Sequence, residues 1–542
     1  MMQRCFLVLI WWIQAAQSSP CAHRYYGNDY TVCVCNSTYC DSIPEYDFSS
    51  ASSYIRFTSD KAGQRFEKSE GFFSYETTPE CSTRLFIHST NLYQTIQGFG
   101  GAFTDSAVMN IKSLSKDAQE NLLSAYFSMK GSRYNLGRVP IGGTDFSSRE
   151  YTYSDNSDEK TSKLNFSLSG EEYEGKIPLL KKALELNPEL RLIAAPWTAP
   201  PWMKTNNDYV NGSLKEEYYQ MYTDYLLTFL EEYRDQGLGM WAISTGNEPI
   251  TEYLKYVRIN SMSWTPAAMA TWVSRNLGPT LSKSRHNQTL IFGLDDNRGH
   301  LTSFFEEFLS YESCTNYITG TAIHWYQDDT TSASLLDQTH YKFPEKLLML
   351  TEASIIPDTT KSKKPVSLGS WDRGERYMLN IIENLEHWVA GWLDWNFVLN
   401  QDGGPSWARN YVDASIIVNP VADEFYKQPM FYAIAHFSSF IPRNSVRIEV
   451  SQYNQSTGIK SVAFLTPNNE IVVVISNTST KEQQVTIYDL HKGHISVRLE
   501  AKSFHTLIYK QLLCYQTNRE YTLHRECKQN VRGPEKEEGK EK

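Results

Sequence analysis

Two glutamates, Glu248 and Glu352, each stand at the end of an apolar run of strand character. The first run, residues 240–248, is followed by Pro249, and a proline cannot continue a strand ladder. The second run covers residues 346–354 and carries its glutamate near the carboxyl end. In a barrel of parallel strands these ends lie at one rim. Two carboxyls brought together there can protonate a leaving group and attack a sugar carbon, as retaining glycosidases do.

The place of each glutamate in the strand order predicts its role. Glu248, on the fourth strand after Asn247, is the candidate acid/base, and Glu352, on the seventh, is the candidate nucleophile. Once Glu352 is esterified its charge is gone, so Glu248 gives up a proton more easily and can then act as a base. Asn247 could hydrogen-bond the sugar 2-hydroxyl. A lone glutamate at a strand end would instead be typical of a surface ion pair.

Strand and helix patterns alternate between residue 94 and residue 396, and this alternation predicts the element that positions the glutamates. Eight apolar runs, separated by helical segments such as 115–129, 214–233, 266–281 and 373–387, favour a closed (β/α)8 barrel over an open sheet. The runs cover residues 95–105, 134–146, 191–202, 240–248, 289–295, 320–326, 346–354 and 389–396.

A glycine-rich stretch, Gly98 to Gly101, belongs to the first of these runs. It reads G-x-G-G and lacks the G-x-G-x-x-G spacing and helix-opening context of a dinucleotide site. We therefore interpret it as a tight turn that lets the backbone approach a ligand, and we exclude nucleotide binding.

Alternating strand patterns flank the barrel on both sides. They occur at 54–57 and 83–87 before it and at 445–450, 461–465, 470–475 and 484–488 after it, which predicts a β-sandwich built from both ends of the chain. Beyond residue 511 the composition becomes strongly charged, and the segment 533–542 is expected to be disordered.

Composition and charge exclude some functional classes. The 542 residues include 41% hydrophobic and 21% charged residues, with a formal net charge of −10, so a general nucleic-acid binder with a basic footprint is excluded. Aromatic residues make up 13% of the chain, enough for sugar-stacking platforms but equally consistent with a large aromatic core. The length predicts one large domain with one or two smaller ones.

The N-terminus is typical of a secretory protein. Residues 1–19 show a charged start, a short apolar core and a small-residue cleavage pattern, so we expect a signal peptide and no transmembrane segment. On that route six sequons become glycosylation candidates: Asn36, Asn165, Asn211, Asn287, Asn454 and Asn477.

Four cysteines crowd into the first mature residues, and this cluster indicates two disulfides rather than a zinc site because no histidine follows at ligand spacing. They are Cys21, Cys33, Cys35 and Cys40. Cys81 and Cys314 have no evident partners, whereas Cys514 and Cys527 could pair with each other.

An ordered series of motifs resembles glycoside hydrolase family 30, specifically its glucosylceramide-cleaving members. The similarity runs from about residue 20 to about residue 509 and includes C-V-C-N-S-T-Y-C at 33–40, G-F-G-G-A at 98–102, P-W-T-A-P at 196–200, N-E-P at 247–249, H-W-Y at 324–326, L-T-E-A at 350–353, S-W-D-R-G at 370–374 and F-Y-K-Q-P-M-F-Y at 425–432.

The resemblance implies a three-part architecture. Residues 20–46 with 397–429 would form a small antiparallel sheet with disulfides Cys21–Cys33 and Cys35–Cys40; 47–93 with 445–511 the β-sandwich; and 94–396 with 430–444 the catalytic barrel. The extension 512–542 has no counterpart in the family.

The resemblance also implies which residues meet the glucosyl unit. They are Asp145, Trp197, Asn247, Trp395 and Asn410, beside the two glutamates. The acid can accept hydrogen bonds from vicinal hydroxyls, and the indoles offer apolar faces and N–H donors. Read without the family, the tryptophans would be core residues and the aspartate a turn residue. His324, Trp325 and Tyr326 are expected to line the pocket and adjust Glu352, and Arg138 to pair with carboxylates there.

The function implied is a retaining β-glucosidase that releases glucose from glucosylceramide in an acidic compartment, without metal or organic cofactor. The substrate lies in a membrane, so the expected partners are anionic lipids and a saposin-like activator, with no nucleic acid. The expected location is the lysosome, at the lumenal membrane surface, with secretion as the alternative. Two other functions stay open: a retaining glycosidase for another β-glucoside or a steryl glucoside, and an inactive carbohydrate-binding protein.

One loop departs from the family pattern. The segment between Pro249 and Trp264 differs in sequence from the family's loop, yet it flanks the candidate acid/base and should help form the aglycone entrance. Aglycone preference is therefore the property that the resemblance predicts least.

Overall fold

The computed structural model describes residues 18–511 except 28–29, 77–82, 157–163, 251–257, 358–363 and 454–457. Several predictions fall outside these residues: positions 1–17 of the signal peptide, the extension 512–542, the sequon Asn454, and Cys81, Cys514 and Cys527. Within the described ranges, no helix combines the length and apolarity needed to cross a membrane.

The strands follow the predicted sequence of sheet, barrel and sheet. In chain order they are β1 (His23–Tyr25), β2 (Thr31–Asn36), β3 (Ser53–Asp60), β4 (Glu67–Phe72), β5 (Thr83–Thr95), β6 (Gly98–Ala102), β7 (Leu136–Ile141), β8 (Arg191–Pro196), β9 (Met240–Ser244), β10 (Leu290–Asn297), β11 (Gly320–His324), β12 (Leu347–Glu352), β13 (Val389–Asn396), β14 (Val398–Asn400), β15 (Ile416–Asn419), β16 (Glu424–Lys427), β17 (Val446–Tyr453), β18 (Ile459–Leu465), β19 (Glu470–Asn477), β20 (Gln483–Asp489), β21 (Gly493–Leu499) and β22 (Ser503–Lys510).

Some of the helices begin at a side-chain cap that the sequence supplies. Ser115 and Thr265 accept hydrogen bonds from the backbone N–H groups of the first turns they precede. In chain order the helices are α1 (Asp105–Lys112), α2 (Lys116–Phe127), α3 (Ile177–Leu186), α4 (Tyr219–Asp235), α5 (Pro266–Trp272), α6 (Gly278–Lys283), α7 (Glu306–Leu309), α8 (Glu312–Thr315), α9 (Ser334–Lys342), α10 (Trp371–Glu386) and α11 (Pro429–Ser438).

The predicted (β/α)8 barrel is confirmed. Strands β6 to β13 lie in sequence order, all neighbours are parallel, and β13 closes the barrel on β6. Each of the eight predicted apolar runs overlaps one of these strands. The barrel interior is filled by apolar side chains, one or two from each of seven strands: Leu136, Ile193, Ala242, Phe292, Ala322, Met349, Ala390 and Leu393.

The glycine-rich stretch is a strand rather than the tight turn we expected. Residues Gly98–Ala102 form β6, between β13 and β7. A Cβ at Gly100 would lie 1.8 Å from the carbonyl oxygen of Leu136. This glycine is therefore needed for close packing of neighbouring strands, and not for approach to a ligand.

Strands from both ends of the chain form the second β-unit, as predicted. They hydrogen-bond in the order β21-β20-β5-β17-β18-β19-β22-β3-β4. Apolar residues of strands before and after the barrel share one core, which includes Leu85, Ile448, Val473, Ile487 and Leu507. The sandwich thus joins the two ends of the chain.

The small sheet differs from the prediction in one pairing. Its order is β1-β2-β16-β15-β14, and β14 pairs with β15 in parallel, so the sheet is mixed and not wholly antiparallel. The connection from 401 to 415 is long enough to return the chain for a parallel pair. Both expected disulfides, Cys21–Cys33 and Cys35–Cys40, are present, and Cys314 is a buried free thiol.

One glycosylation candidate is corrected by the structure. Asn477 is fully buried, and its side-chain amide donates to the backbone carbonyls of Lys481, Leu499 and Glu500. That nitrogen has no room for a glycan in the folded protein. Asn165 and Asn287 are exposed, and Asn36 and Asn211 are partly exposed, so these four stay candidates.

Candidate active site

The two predicted glutamates face each other at the carboxyl ends of the barrel strands. Glu352 is the last residue of β12, and Glu248 follows β9. One carboxyl oxygen of each, together with a ring nitrogen of His324, lie within 4.8 Å of one another. This spacing matches the short separation of retaining glycosidases, which is about 5 Å, and is well below the roughly 6.5–9.5 Å of inverting ones.

The backbone at Glu248 is strained. Its φ is +46°, in the left-handed region that non-glycine residues seldom adopt. Hydrogen bonds hold it there, because the N–H of Glu248 donates to the Asp295 carbonyl at 2.9 Å and that of Asn247 to the Pro196 carbonyl at 2.8 Å. Both neighbouring strands therefore fix the direction of the Glu248 side chain, which is typical of functional positions.

Arg138, on β7, connects the two glutamate-bearing strands. Its fully buried guanidinium donates to the Glu352 carboxylate, to Asn247 Oδ1 at 2.7 Å and to Asp295 Oδ2 at 2.8 Å. The expected pairing of Arg138 with carboxylates is therefore present. A buried guanidinium with this many acceptors holds them in a fixed arrangement.

The Glu352 carboxyl is also fixed on its other side. The Tyr326 hydroxyl donates to Glu352 Oε1 at 2.8 Å. Burial raises the pKa of the Glu352 carboxyl, whereas the charges of His324 and Arg138 and the Tyr326 hydrogen bond oppose this shift. These three groups favour the ionised form that a nucleophile needs.

His324 connects both glutamates to a third acid. Its Nδ1 lies 3.1 Å from Glu248 Oε1 and its Nε2 lies 3.1 Å from Asp295 Oδ1. Burial lowers the pKa of His324, but the Glu352 and Asp295 carboxylates outweigh burial and raise it to about 10. Below that pH the ring is an imidazolium that donates from both nitrogens. As a cation, the ring offsets part of the negative charge of the acids around it.

A second group of predicted residues lies beside the pair. Trp197 and Trp395 stack with ring centroids 5.1 Å apart, and the Arg138 guanidinium lies over both rings. The Asn410 amide donates to Asp145 Oδ2 at 2.8 Å. Burial raises the pKa of Asp145 to about 7, although the Asn410 hydrogen bond opposes the shift. In acid Asp145 is thus a neutral carboxyl that can both donate to and accept from a sugar hydroxyl.

Trp325 does not line this site, contrary to the expectation. Its ring packs against Tyr377 of α10 at 5.1 Å, under the Arg376 guanidinium, and its N–H donates to the Ser354 carbonyl. Successive residues at a strand end point to opposite sides. His324 and Tyr326 therefore point into the barrel mouth, and Trp325 points outward.

Asp295 and Asp296 also belong to this site, and neither was predicted from the sequence. Arg138, His324 and Thr351 all donate to Asp295. Burial alone would raise the pKa of Asp295, but Arg138 and His324 hold it well below its usual range. Burial and the charge of Glu248 raise the pKa of Asp296 to about 7. Both stand at the end of the fifth apolar run, so the rule that selected the two glutamates would also have selected them.

Comparison with known proteins agrees with this geometry. Residues 96–441 match the glycosyl hydrolase family 30 TIM-barrel domain, and residues 444–507 match that family's beta sandwich domain. The chain is 39% identical to the mouse lysosomal acid glucosylceramidase over 92% of this chain and 97% of the mouse protein. It is also 39% identical to putative glucosylceramidase 2 of Caenorhabditis elegans, over 91% and 96% of the two chains.

A solved structure shares the fold. The crystal structure of SrfJ from Salmonella typhimurium superposes with a TM-score of 0.77 at 28% identity, covering 85% of this chain and all of SrfJ. The match to the family 30 TIM-barrel domain alone covers more than half of the 542 residues of this chain. The chain therefore belongs to glycoside hydrolase family 30 and is a glycoside hydrolase.

Proposed function

We propose that this enzyme is a retaining β-glucosidase that hydrolyses glucosylceramide to glucose and ceramide. The close approach of the Glu248 and Glu352 carboxyls is the observation that carries the retaining mechanism. The choice of substrate is supported by the names of the mouse and nematode relatives, each similar over more than nine-tenths of this chain.

In the first step, a Glu352 carboxylate oxygen attacks the anomeric carbon and Glu248 donates a proton to the glycosidic oxygen. Arg138 and Tyr326 each donate a hydrogen bond to the Glu352 carboxylate, so the orientation of its attacking oxygen is fixed. His324 Nδ1 donates to Glu248 Oε1, which leaves Oε2 to carry the proton. The products are ceramide and a glucosyl ester of Glu352.

In the second step, Glu248 accepts a proton from a water molecule that attacks the same carbon and releases Glu352. Esterification has removed the negative charge of Glu352 near Glu248, so the network then holds one anion fewer. At this stage the His324 ring, with Nδ1 3.1 Å from Glu248 Oε1, keeps the Glu248 carboxyl in place.

Asp145, Trp197, Asn247, Trp395 and Asn410 would bind the glucosyl unit. Asp145 and Asn410 are hydrogen-bonded to each other and offer a paired donor and acceptor to vicinal hydroxyls. Asn247 is oriented by the Arg138 guanidinium, which bonds its Oδ1 and leaves the amide N–H groups for the sugar. These side chains supply hydrogen-bond donors and acceptors that can pair with the hydroxyl groups of the sugar.

The proposed location of the enzyme is an acidic compartment of the secretory route. The lysosome is the first choice, and secretion is the alternative. Support comes from the signal pattern at 1–19, the exposed sequons and the lysosomal name of the mouse relative. Anionic lipids and a saposin-like activator are the proposed partners, because the glycolipid must be reached at a membrane surface.

The test is glucose release from a panel of glucosyl-, galactosyl- and xylosyl-ceramides and a steryl glucoside. We expect glucosylceramide to be the preferred substrate, and we expect Glu352→Gln to lose at least about 10⁴-fold in kcat while it still folds and unfolds cooperatively on heating. Preference for another glycoside would replace the proposed substrate, and near-normal turnover by the variant would remove the proposed nucleophile.

A further inference from the structure

Lys204 is a buried cation with unusual partners. Its side chain is fully buried, and its ammonium donates to Thr198 Oγ1 at 2.8 Å, to the Ser261 carbonyl at 2.8 Å and to the Tyr209 carbonyl at 3.2 Å. All three acceptors are neutral, and among the described residues its ammonium has no salt bridge. A buried charge without an anion is costly, so an ammonium kept there has a use beyond packing.

The three acceptors come from three separate segments around the active site. Thr198 follows Trp197 at the end of β8, beside the proposed sugar position. Tyr209 belongs to the loop between β8 and α4, and Ser261 belongs to the segment that leads into α5. Through these hydrogen bonds the ammonium connects the end of β8, beside the proposed sugar position, to the two other segments.

Further hydrogen bonds extend this connection to the segment 258–264. The N–H of Ser261 donates to the Tyr209 carbonyl at 3.0 Å, and the Asn260 amide donates to the Gly143 carbonyl at 2.9 Å. The N–H of Trp264 donates to the Pro249 carbonyl at 3.1 Å, next to Glu248. The segment that Lys204 holds thus ends against the backbone of the acid/base.

The direction of the reaction places the aglycone on this side. A general acid protonates the glycosidic oxygen, so the aglycone leaves past Glu248, on the side where the segment 258–264 lies. Burial lowers the pKa of Lys204 to about 7, so in acid the ammonium keeps all three donors.

We infer that Lys204 is a positioning residue that fixes the aglycone side of the site and so favours a large lipid aglycone over a small one. This inference rests on the proposed glucosylceramide hydrolysis. It concerns the segment 258–264, which Lys204 holds in place beside Glu248.

The test compares Lys204→Met with Lys215→Met on two substrates. Methionine keeps the volume of the buried stem and removes the charge and the donors. Lys215 is the matched control, because it lies in the same loop, donates to the Trp202 carbonyl and sits over the Tyr218 ring. The substrates are glucosylceramide in phosphatidylserine micelles and an aryl β-glucoside with a small leaving group.

We expect Lys204→Met to lose at least 10-fold in kcat/KM on glucosylceramide, mainly through KM, and no more than 3-fold on the aryl glucoside. Lys215→Met should keep the wild-type ratio of the two values. Equal losses on both substrates, or no loss, would overturn the inference. If wild-type enzyme cleaves the aryl glucoside but not glucosylceramide, the proposed function fails instead.

A second variant covers the case in which Lys204→Met does not fold. Thr198→Val removes one acceptor and nearly preserves side-chain volume. It should shift the substrate ratio in the same direction by about 3-fold. An unchanged ratio in Thr198→Val, with Lys204→Met insoluble, would also contradict the inference.

Discussion

At the scale of single residues, the site consists of an anion-rich network held by two cations. Arg138 and His324 together contact Glu248, Glu352 and Asp295, and all five are buried. Removing one partner from such a network leaves an uncompensated buried charge, which typically costs about 3–5 kcal/mol. The arrangement fixes the two carboxyls for chemistry and makes the site sensitive to substitution.

Tyr326→Phe is expected to change the pH profile of the reaction. The Tyr326 hydrogen bond lowers the pKa of Glu352, so its loss raises that pKa and leaves more Glu352 protonated and inactive in acid. The acidic limb of kcat/KM should therefore move to higher pH, by up to about one pH unit.

The control for this measurement is Tyr134→Phe. The Tyr134 hydroxyl is buried and has no hydrogen-bond partner within the described part of the chain. Removing this hydroxyl should leave the acidic limb of the kcat/KM profile at the same pH as in the wild-type enzyme. A limb that stays fixed in Tyr326→Phe would show that this hydroxyl does not act on the nucleophile.

At the scale of elements, apolar runs ending in polar residues predicted all eight barrel strands and both glutamates. The pattern could not predict which neighbours point inward, so Trp325 was misplaced while His324 and Tyr326 were placed correctly. Within the first run, the glycines at 98–101 were interpreted as a turn, since glycine has no side chain to give a pattern, but they lie in strand β6. Asn477 matched a sequon, but only the fold shows its buried amide.

Gly100→Ala should strongly destabilise the barrel. The added methyl would meet the Leu136 carbonyl, which belongs to strand backbone and cannot move away. We expect a loss of about 3 kcal/mol or more in unfolding free energy, measured by urea denaturation. Gly170→Ala is the control, because a Cβ there meets nothing within 4 Å and should change stability by no more than about 0.5 kcal/mol. Equal stability of the two variants would contradict the packing role of Gly100.

At the scale of the whole molecule, buried ionisable groups adapt the fold to acid. Burial raises the pKa of Asp145, Asp296 and Asp394 to about 7. Between about pH 4 and pH 7 the folded chain therefore binds more protons than the unfolded chain, and stability falls as pH rises. His436 and His505 oppose this trend, because burial lowers the pKa of His436 to about 3 and holds that of His505 well below its usual value, so their contribution to stability is lost as pH falls below about 6.5.

The melting temperature should accordingly be higher at pH 5 than at pH 7.5, by an amount on the order of 5 °C. The three raised carboxyls outnumber the two buried histidines, and His324, with a pKa of about 10, adds to the loss above pH 6.5. Asp394→Asn should flatten the dependence, since it removes one raised carboxyl. Differential scanning fluorimetry across pH measures both, and a higher melting temperature at pH 7.5 would contradict the account.

The central claim is that Glu352 forms the covalent bond to the sugar. It is tested most directly by incubating the enzyme with a 2-deoxy-2-fluoro-β-glucoside carrying a good leaving group, followed by peptide mass spectrometry. We expect one fluoroglucosyl group per chain, attached to Glu352 in the peptide containing Leu-Thr-Glu-Ala. A label on Glu248 or Asp295, or turnover without any label, would contradict it.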